Sequence, residues 1–201
     1  MQRTEPDLLW QRMARGIEGV RERLLRAARR LDQAGVPYAV TGGNAVAAWV
    51  ARVDEAAVRN TRDVDIILRR EDFAAAKTAL EAEGFVHRRV ASLGRAGSME
   101  IFLESEDAKV RDAVHVVFAN EKVRPTDAFA IADVAESEDA GTFRIVTLEA
   151  LVRMKLTAFR DKDRVHLRDL ASVDLIDAMW PARFGEPLAT RLREILRTPE
   201  G

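Results

Sequence analysis

The chain has 201 residues, 32 basic and 33 acidic side chains, a formal net charge of −1 and 47% apolar residues. That length and apolar share suit one compact domain with its own core, and the balanced charge supplies no bulk field of the kind that marks a nucleic-acid binder. There is no cysteine, which excludes disulfides, thiolate metal sites and a cysteine nucleophile, and three scattered histidines argue against an all-histidine zinc site.

No apolar run reaches the length of a membrane span, and the opening MQRTEPDLLW lacks the apolar centre of a secretory signal. A cytoplasmic protein with no membrane association is expected. From Pro6 to Ala34, Leu9, Met13, Ile17, Val20, Leu24, Ala28 and Leu31 recur at helical steps, with Gly16 and Gly19 weakening the middle. Arg21, Arg23, Arg26, Arg29 and Arg30 cover the rest of this helix as a solvated face, or in the alternative as an RNA-binding stripe with Arg88, Arg89 and Arg95. Gly35 and Pro37 end it.

Tyr38 to Thr41 reads as a first strand and Asn44 to Val53 as the helix after a Gly-Gly turn, with Asn44 as its cap. A second, central strand runs from Thr61 to Leu68, and a helix from Glu71 to Glu83. Strands follow at 85–90, 98–103 and 113–118, with a mobile hairpin loop at 91–97. The stretch 119–140, with the acidic run Glu136 to Asp139, reads as a surface excursion before a short strand at 143–146. The remainder is helical: Thr147 caps one helix, Asp163 the next, which Pro181 ends, and Glu186 to Leu196 forms the last. This divides the chain into a core, 1–146, and a helical extension, 147–201.

Two stretches carry chemistry. In TRDVDIIL (61–68), Asp63 and Asp65 stand two apart on a strand, so both carboxylates leave one face while Val64 and Ile66 enter the other. Like charges so placed repel, and a divalent cation such as Mg²⁺ relieves that. In YAVTGGN (38–44) a strand runs into Gly42 and Gly43 and then a helix, whose free N–H groups favour an anion.

Taken together, the glycine turn, the helix and the Thr-Arg run into Asp-apolar-Asp resemble the nucleotidyltransferase superfamily of the polymerase-beta type, and more narrowly the AbiEii-like bacterial enzymes, whose relatives include toxins of toxin–antitoxin pairs. The resemblance spans about Val36 to Leu170. It implies an α+β fold with a mixed β-sheet flanked by helices, Mg²⁺ or Mn²⁺ at Asp63 and Asp65, and a nucleoside triphosphate held by Gly42, Gly43, Asn44, Arg62 and Lys155. It also implies an acceptor that is an RNA such as tRNA, a protein hydroxyl or a small molecule, and an antitoxin partner.

In this family a third acid sits on a later strand between apolar residues. Here the matching stretch, AVHVVFA, centres on His115. Three readings follow: His115 serves as ligand or base, another acid (Glu100, Glu104 or Asp112) supplies the charge, or catalysis is lost and a nucleotide- or protein-binding relative remains. Glu100 is the best substitute. Lys155 either snorkels from the core or reaches a triphosphate, and the resemblance favours the phosphate. Asp169 is expected to orient Arg164 or Arg168, His166 to be a satisfied structural histidine, and His87 to lie at the surface.

Overall fold

The strand-rich middle of the chain forms a seven-stranded mixed sheet in the computed structural model, which describes residues 5–91 and 98–198. Its strands are β1 (Ala39–Thr41), β2 (Val64–Leu68), β3 (Val86–Ala91), β4 (Ser98–Leu103), β5 (Val114–Phe118), β6 (Ser137–Asp139) and β7 (Arg144–Val146). They lie in the order β3-β4-β5-β2-β1-β7-β6. β2 is parallel to β5 and β1 to β7, and the other neighbours are antiparallel. The sheet is flanked by helices α1 (Glu5–Gln33), α2 (Gly42–Ala51), α3 (Phe73–Ala82), α4 (Leu148–Ala158), α5 (Asp161–Ser172) and α6 (Leu188–Arg197).

β2 is central because it is apolar on both faces. Val64, Ile66 and Leu68 join Val40, Val114, Val116 and Phe102 under α1 and α3, where Leu24, Ala27, Ala28 and Leu31 close the layer. Ile67 points the other way, into a core with Ala39, Val46, Ile145, Leu151, Leu167 and Leu192 from β1, α2, β7, α4, α5 and α6. Full burial of one such Leu or Ile contributes about 1.5–3 kcal/mol. α2, α4 and α5 lie on the face toward which Asp65 also points.

Several expectations change in detail. α2 starts at Gly42, not Asn44. The acidic run at 136–139 is not all excursion: Ser137–Asp139 forms the edge strand β6, where charged side chains are tolerated because one side of the ladder faces water. α5 ends at Ser172, well before Pro181. Asp163 acts from the third position of α5, accepting the Arg160 backbone N–H at 3.2 Å, rather than as its N-cap. Thr147 caps α4, accepting from the Ala150 N–H.

Three of the five arginines expected on the polar face of α1 reach into the rest of the protein. Arg23 is buried and donates to Glu104 and to the Arg62 carbonyl; Arg26 reaches Glu104 and the Glu83 carbonyl; Arg30 reaches the Ala79 carbonyl. These bonds anchor α1 across the sheet, while Arg21, paired with Glu18 on the same helix, and Arg29 stay exposed, so the expected solvated face holds only in part. The loop expected at 91–97 lies, except for Ala91, outside the described residues, as does Arg95.

Candidate active site

The sharp turn between β1 and α2 is shaped by what sits above it. Gly42 has φ +69°, a conformation that costs an L side chain roughly 1–2 kcal/mol. A Cβ there would also run into the Asp65 carboxyl group, 2.8 Å from its Cγ. A Cβ on Gly43 would stand 2.9 Å from the Thr61 Cβ and Oγ1. The two glycines therefore let the aspartate strand close directly over the helix start, bringing the first-turn N–H groups of α2 beside the carboxylates.

The aspartate segment is pinned from several sides. The Thr61 hydroxyl donates to Asp63 Oδ1 at 2.7 Å, Asn44 Nδ2 donates to the Asp63 carbonyl at 2.7 Å, and Arg23 Nη1 donates to the Arg62 carbonyl at 3.1 Å. Asn44 is thus a brace between α2 and this segment, not a helix cap. Asp65 pairs in register with His115 on the neighbouring parallel strand, so the two side chains leave the same face. His115 Nδ1 lies 3.6 Å from Asp65 Oδ1 and 3.8 Å from Asp63 Oδ2.

The other ring nitrogen of His115, Nε2, is 2.8 Å from the Val110 carbonyl. A carbonyl only accepts, so Nε2 carries a proton and donates it, and in the neutral ring Nδ1 presents its lone pair to the aspartates. Burial works against charge on His115, yet Asp65, the Val110 carbonyl and Asp63 together raise its pKa above the ordinary value. For Asp65 burial alone would raise the carboxyl, but His115, then Lys155 and Lys162, hold it below the usual carboxylate range.

Donor atoms from Asp63, Asp65 and His115 lie within 4.8 Å of one another, as a divalent metal site requires. Two carboxylates and an imidazole whose second nitrogen is anchored to a backbone carbonyl form a donor set suited to Mn²⁺ and, less well, to Mg²⁺. The alternative acids do not join them. Glu100 points to the opposite face of the sheet, where His87 Nε2 and Arg89 Nε each approach it at 2.7 Å. Glu104 is held by Arg23 and Arg26, and Asp112 lies beside Arg111. His87, expected at the surface, packs against Phe73 and Phe102.

A cleft of about 690 Å³ opens onto this cluster, lined by Gly42, Gly43, Asp63, Asp65, His115 and Lys155 among others. Lys155 is buried, with Nζ 3.3 Å from Asp163 Oδ1, and burial lowers its pKa against the pull of Asp163 and Asp65. Asp163 also accepts from Arg160 Nε at 2.7 Å. One buried carboxylate thus holds two cations at the cleft wall, and sequence reading had given Asp163 only a capping role. Its signal was the i, i+3 spacing from Arg160. Arg62, expected to hold nucleotide, has an exposed side chain and is not part of the cleft lining. His166 lines the cleft with Nδ1 buried and unpartnered, so it is not the satisfied core histidine expected; Asp169 pairs with Arg59, at 2.6 Å, and not with Arg164 or Arg168.

A mixed sheet that carries paired aspartates beside a glycine turn, with cations across the cleft, defines the nucleotidyltransferase class of protein. The chain belongs to the family described as an uncharacterised nucleotidyltransferase, whose sequence profile matches residues 9–197. Among solved structures it is similar to a candidate nucleotidyltransferase from H. pylori, with TM-score 0.50 and 16% identity, covering 92% of this chain and 78% of that one. It is also similar to the antibiotic-resistance factor ANT(2'')-Ia, with TM-score 0.47, 17% identity and coverage of 86% and 88%. At that identity the first likeness concerns the fold alone, and nothing further rests on the second. No curated protein matches the chain.

Proposed function

We propose that this chain transfers a nucleoside monophosphate from a nucleoside triphosphate to a hydroxyl of an acceptor, with Asp63, Asp65 and His115 as the ligands of a divalent cation. The observation that carries this is convergence: the three donors, the Gly42-Gly43 turn and Lys155 face one cleft. The acceptor oxygen forms a bond to the α-phosphorus, the bond to pyrophosphate breaks, and the cleft carboxylates accept the hydroxyl proton. Such chemistry is mainly positioning and charge neutralisation.

Each role follows from position. The N–H groups at the start of α2 cradle phosphate oxygens at the positive end of the helix. Lys155 and Arg160, held by Asp163, neutralise charge on the phosphates. A divalent cation, when bound, neutralises the triphosphate and lowers the pKa of the attacking hydroxyl. Val110 keeps the His115 ring in the tautomer that faces the aspartates. Mn²⁺ suits this donor set better than Mg²⁺ because imidazole is the softer ligand.

Incubation with each labelled nucleoside triphosphate, Mn²⁺ or Mg²⁺, and tRNA, lysate protein or small polyols tests the reading. Transfer that disappears in Asp65→Ala is the expected result; no transfer from any triphosphate, or transfer unaffected by that substitution, would overturn it. The AbiEii-like resemblance of the sequence adds a toxin role with an antitoxin partner, for which growth arrest that depends on Asp65 is expected on expression. The histidine at the third acid position favours one other reading, a relative that binds nucleotide without turnover. Calorimetry showing nucleotide binding with no transfer would select it.

A further inference from the structure

Only two residues, Phe159 and Arg160, separate α4 from α5. Among the described residues three non-glycine residues have positive φ, and two of them, Asn120 and Asp174, are of types whose short polar side chains tolerate it. The third is Phe159, with φ +45° and ψ +37°, ending α4 where a glycine is usual. An aromatic residue held in the left-handed region needs surroundings that over-determine it, and such positions gather at functional sites.

The surroundings here are specific. Thr157, Ala158 and Arg160 line the cleft, while the Phe159 ring turns away from it toward α5 and α6. The Arg164 guanidinium lies over that ring at 4.4 Å and the Arg191 guanidinium at 5.0 Å, distances at which a π face attracts a cation. Arg164 Nε is buried with no hydrogen-bond partner, and the ring face compensates for the one it lacks. Arg191 Nη1 also donates to the Leu156 carbonyl at 2.6 Å and the Thr157 carbonyl at 3.1 Å, acceptors that a helix end leaves open. The Phe159 N–H closes on the Lys155 carbonyl at 2.9 Å.

The elbow so fixed sits between two cations of the cleft. Lys155 lies one turn before Phe159 and Arg160 directly after it, and both reach Asp163, at 3.3 Å and 2.7 Å. A carboxylate on the first turn of α5 can hold a cation from the end of α4 only if the chain reverses tightly between them. Glycine at 159 would permit that reversal among many other conformations; a phenylalanine between two guanidinium groups selects it.

We propose that Phe159, clamped by Arg164 and Arg191, is a positioning residue for phosphate binding: it fixes the elbow that holds Lys155 and Arg160 on one Asp163 at the cleft wall. The inference rests on the nucleotidyl-transfer reading, under which those two cations meet the triphosphate. It gives α6 a part in the site through Arg191, although no residue of α6 lines the cleft.

The test is calorimetric titration of the full chain with Mn²⁺ alone, and then with a non-hydrolysable triphosphate analogue at saturating Mn²⁺. Phe159→Leu keeps an apolar side chain without the π face, and Arg191→Met removes the donors of the clamp. In both, analogue affinity is expected to fall about tenfold or more, while Mn²⁺ affinity, set by Asp63, Asp65 and His115 on the sheet, stays within about twofold of wild type. Phe159→Tyr, which keeps the ring, should bind the analogue as wild type does, and Arg193→Gln, at an exposed position of α6, should be silent in both titrations. Thermal melts establish which variants are folded. Phe159→Gly, which adopts the left-handed conformation freely, replaces any that is not, and the same loss of analogue affinity is expected of it. Undiminished analogue affinity in a folded variant, or a parallel loss of Mn²⁺ and analogue binding, overturns the positioning role. No analogue binding by wild-type protein would sink the transferase reading together with it, whereas binding that the variants keep overturns the elbow alone.

Discussion

His115 Nδ1 lies 3.6 Å from Asp65 Oδ1 across two adjoining parallel strands whose Cα atoms are paired at these residues. A histidine therefore occupies the place from which a third carboxylate would face the same cation. Replacing it by the acid should change metal preference more than fold. His115→Asp is expected to raise activity with Mg²⁺ relative to Mn²⁺, since a third oxygen ligand suits the harder ion. His115→Ala should weaken Mn²⁺ binding by at least tenfold, about 1.4 kcal/mol. Calorimetric titration with each ion checks both, and equal affinities in wild type and His115→Ala would refute the ligand role.

Gly42 should tolerate no side chain. Alanine there meets both the positive φ and the Asp65 carboxyl group. The expected result is loss of transfer and of Mn²⁺ binding with a stability cost beyond the roughly 1–2 kcal/mol of the backbone conformation alone. Denaturant melts of Gly42→Ala beside Gly84→Ala, at a positive-φ glycine with open space around it, separate collision from strain.

Asp163 is 1% exposed and holds both Lys155 and Arg160. Asp163→Asn leaves a buried ammonium without its counter-charge, a change that costs about 3–5 kcal/mol in comparable pairs. Lys155→Met should cost less stability and lower triphosphate affinity. The double variant Lys155→Met with Asp163→Asn is expected to be more stable than Asp163→Asn alone. Additive losses in chemical denaturation would show that the pair is not coupled.

Acid sensitivity should centre in part on Glu100. Burial would raise its pKa, but the bonds from His87 and Arg89 outweigh this and hold it below the ordinary 4.5. A carboxyl depressed in the folded state stabilises above its unfolded pKa, and that contribution disappears as pH falls through the folded value. Wild type should lose stability as pH drops below about 4.5, the ordinary glutamate value, whereas Glu100→Gln should start lower and show a flatter acid limb. Parallel limbs in melts between neutral pH and acid would contradict this.

The local pattern of the chain already contained the central strand, the glycine turn and the side on which Asp63 and Asp65 emerge, because strand alternation and glycine chemistry act over a few residues. Thr147 as a cap and Gly35 as the end of α1 were readable for the same reason. Which acid or base joins the aspartates was not, since His115 becomes their neighbour only through the register of β2 against β5, a contact between residues fifty apart. Glu100 reads in sequence as the best substitute acid, and the pairing of β4 with β3 and β5 turns it to the other face. The roles of Asp163, Asp169 and the α1 arginines likewise depended on partners brought in by folding, because a charged side chain's function is set by what stands within a few ångströms of it.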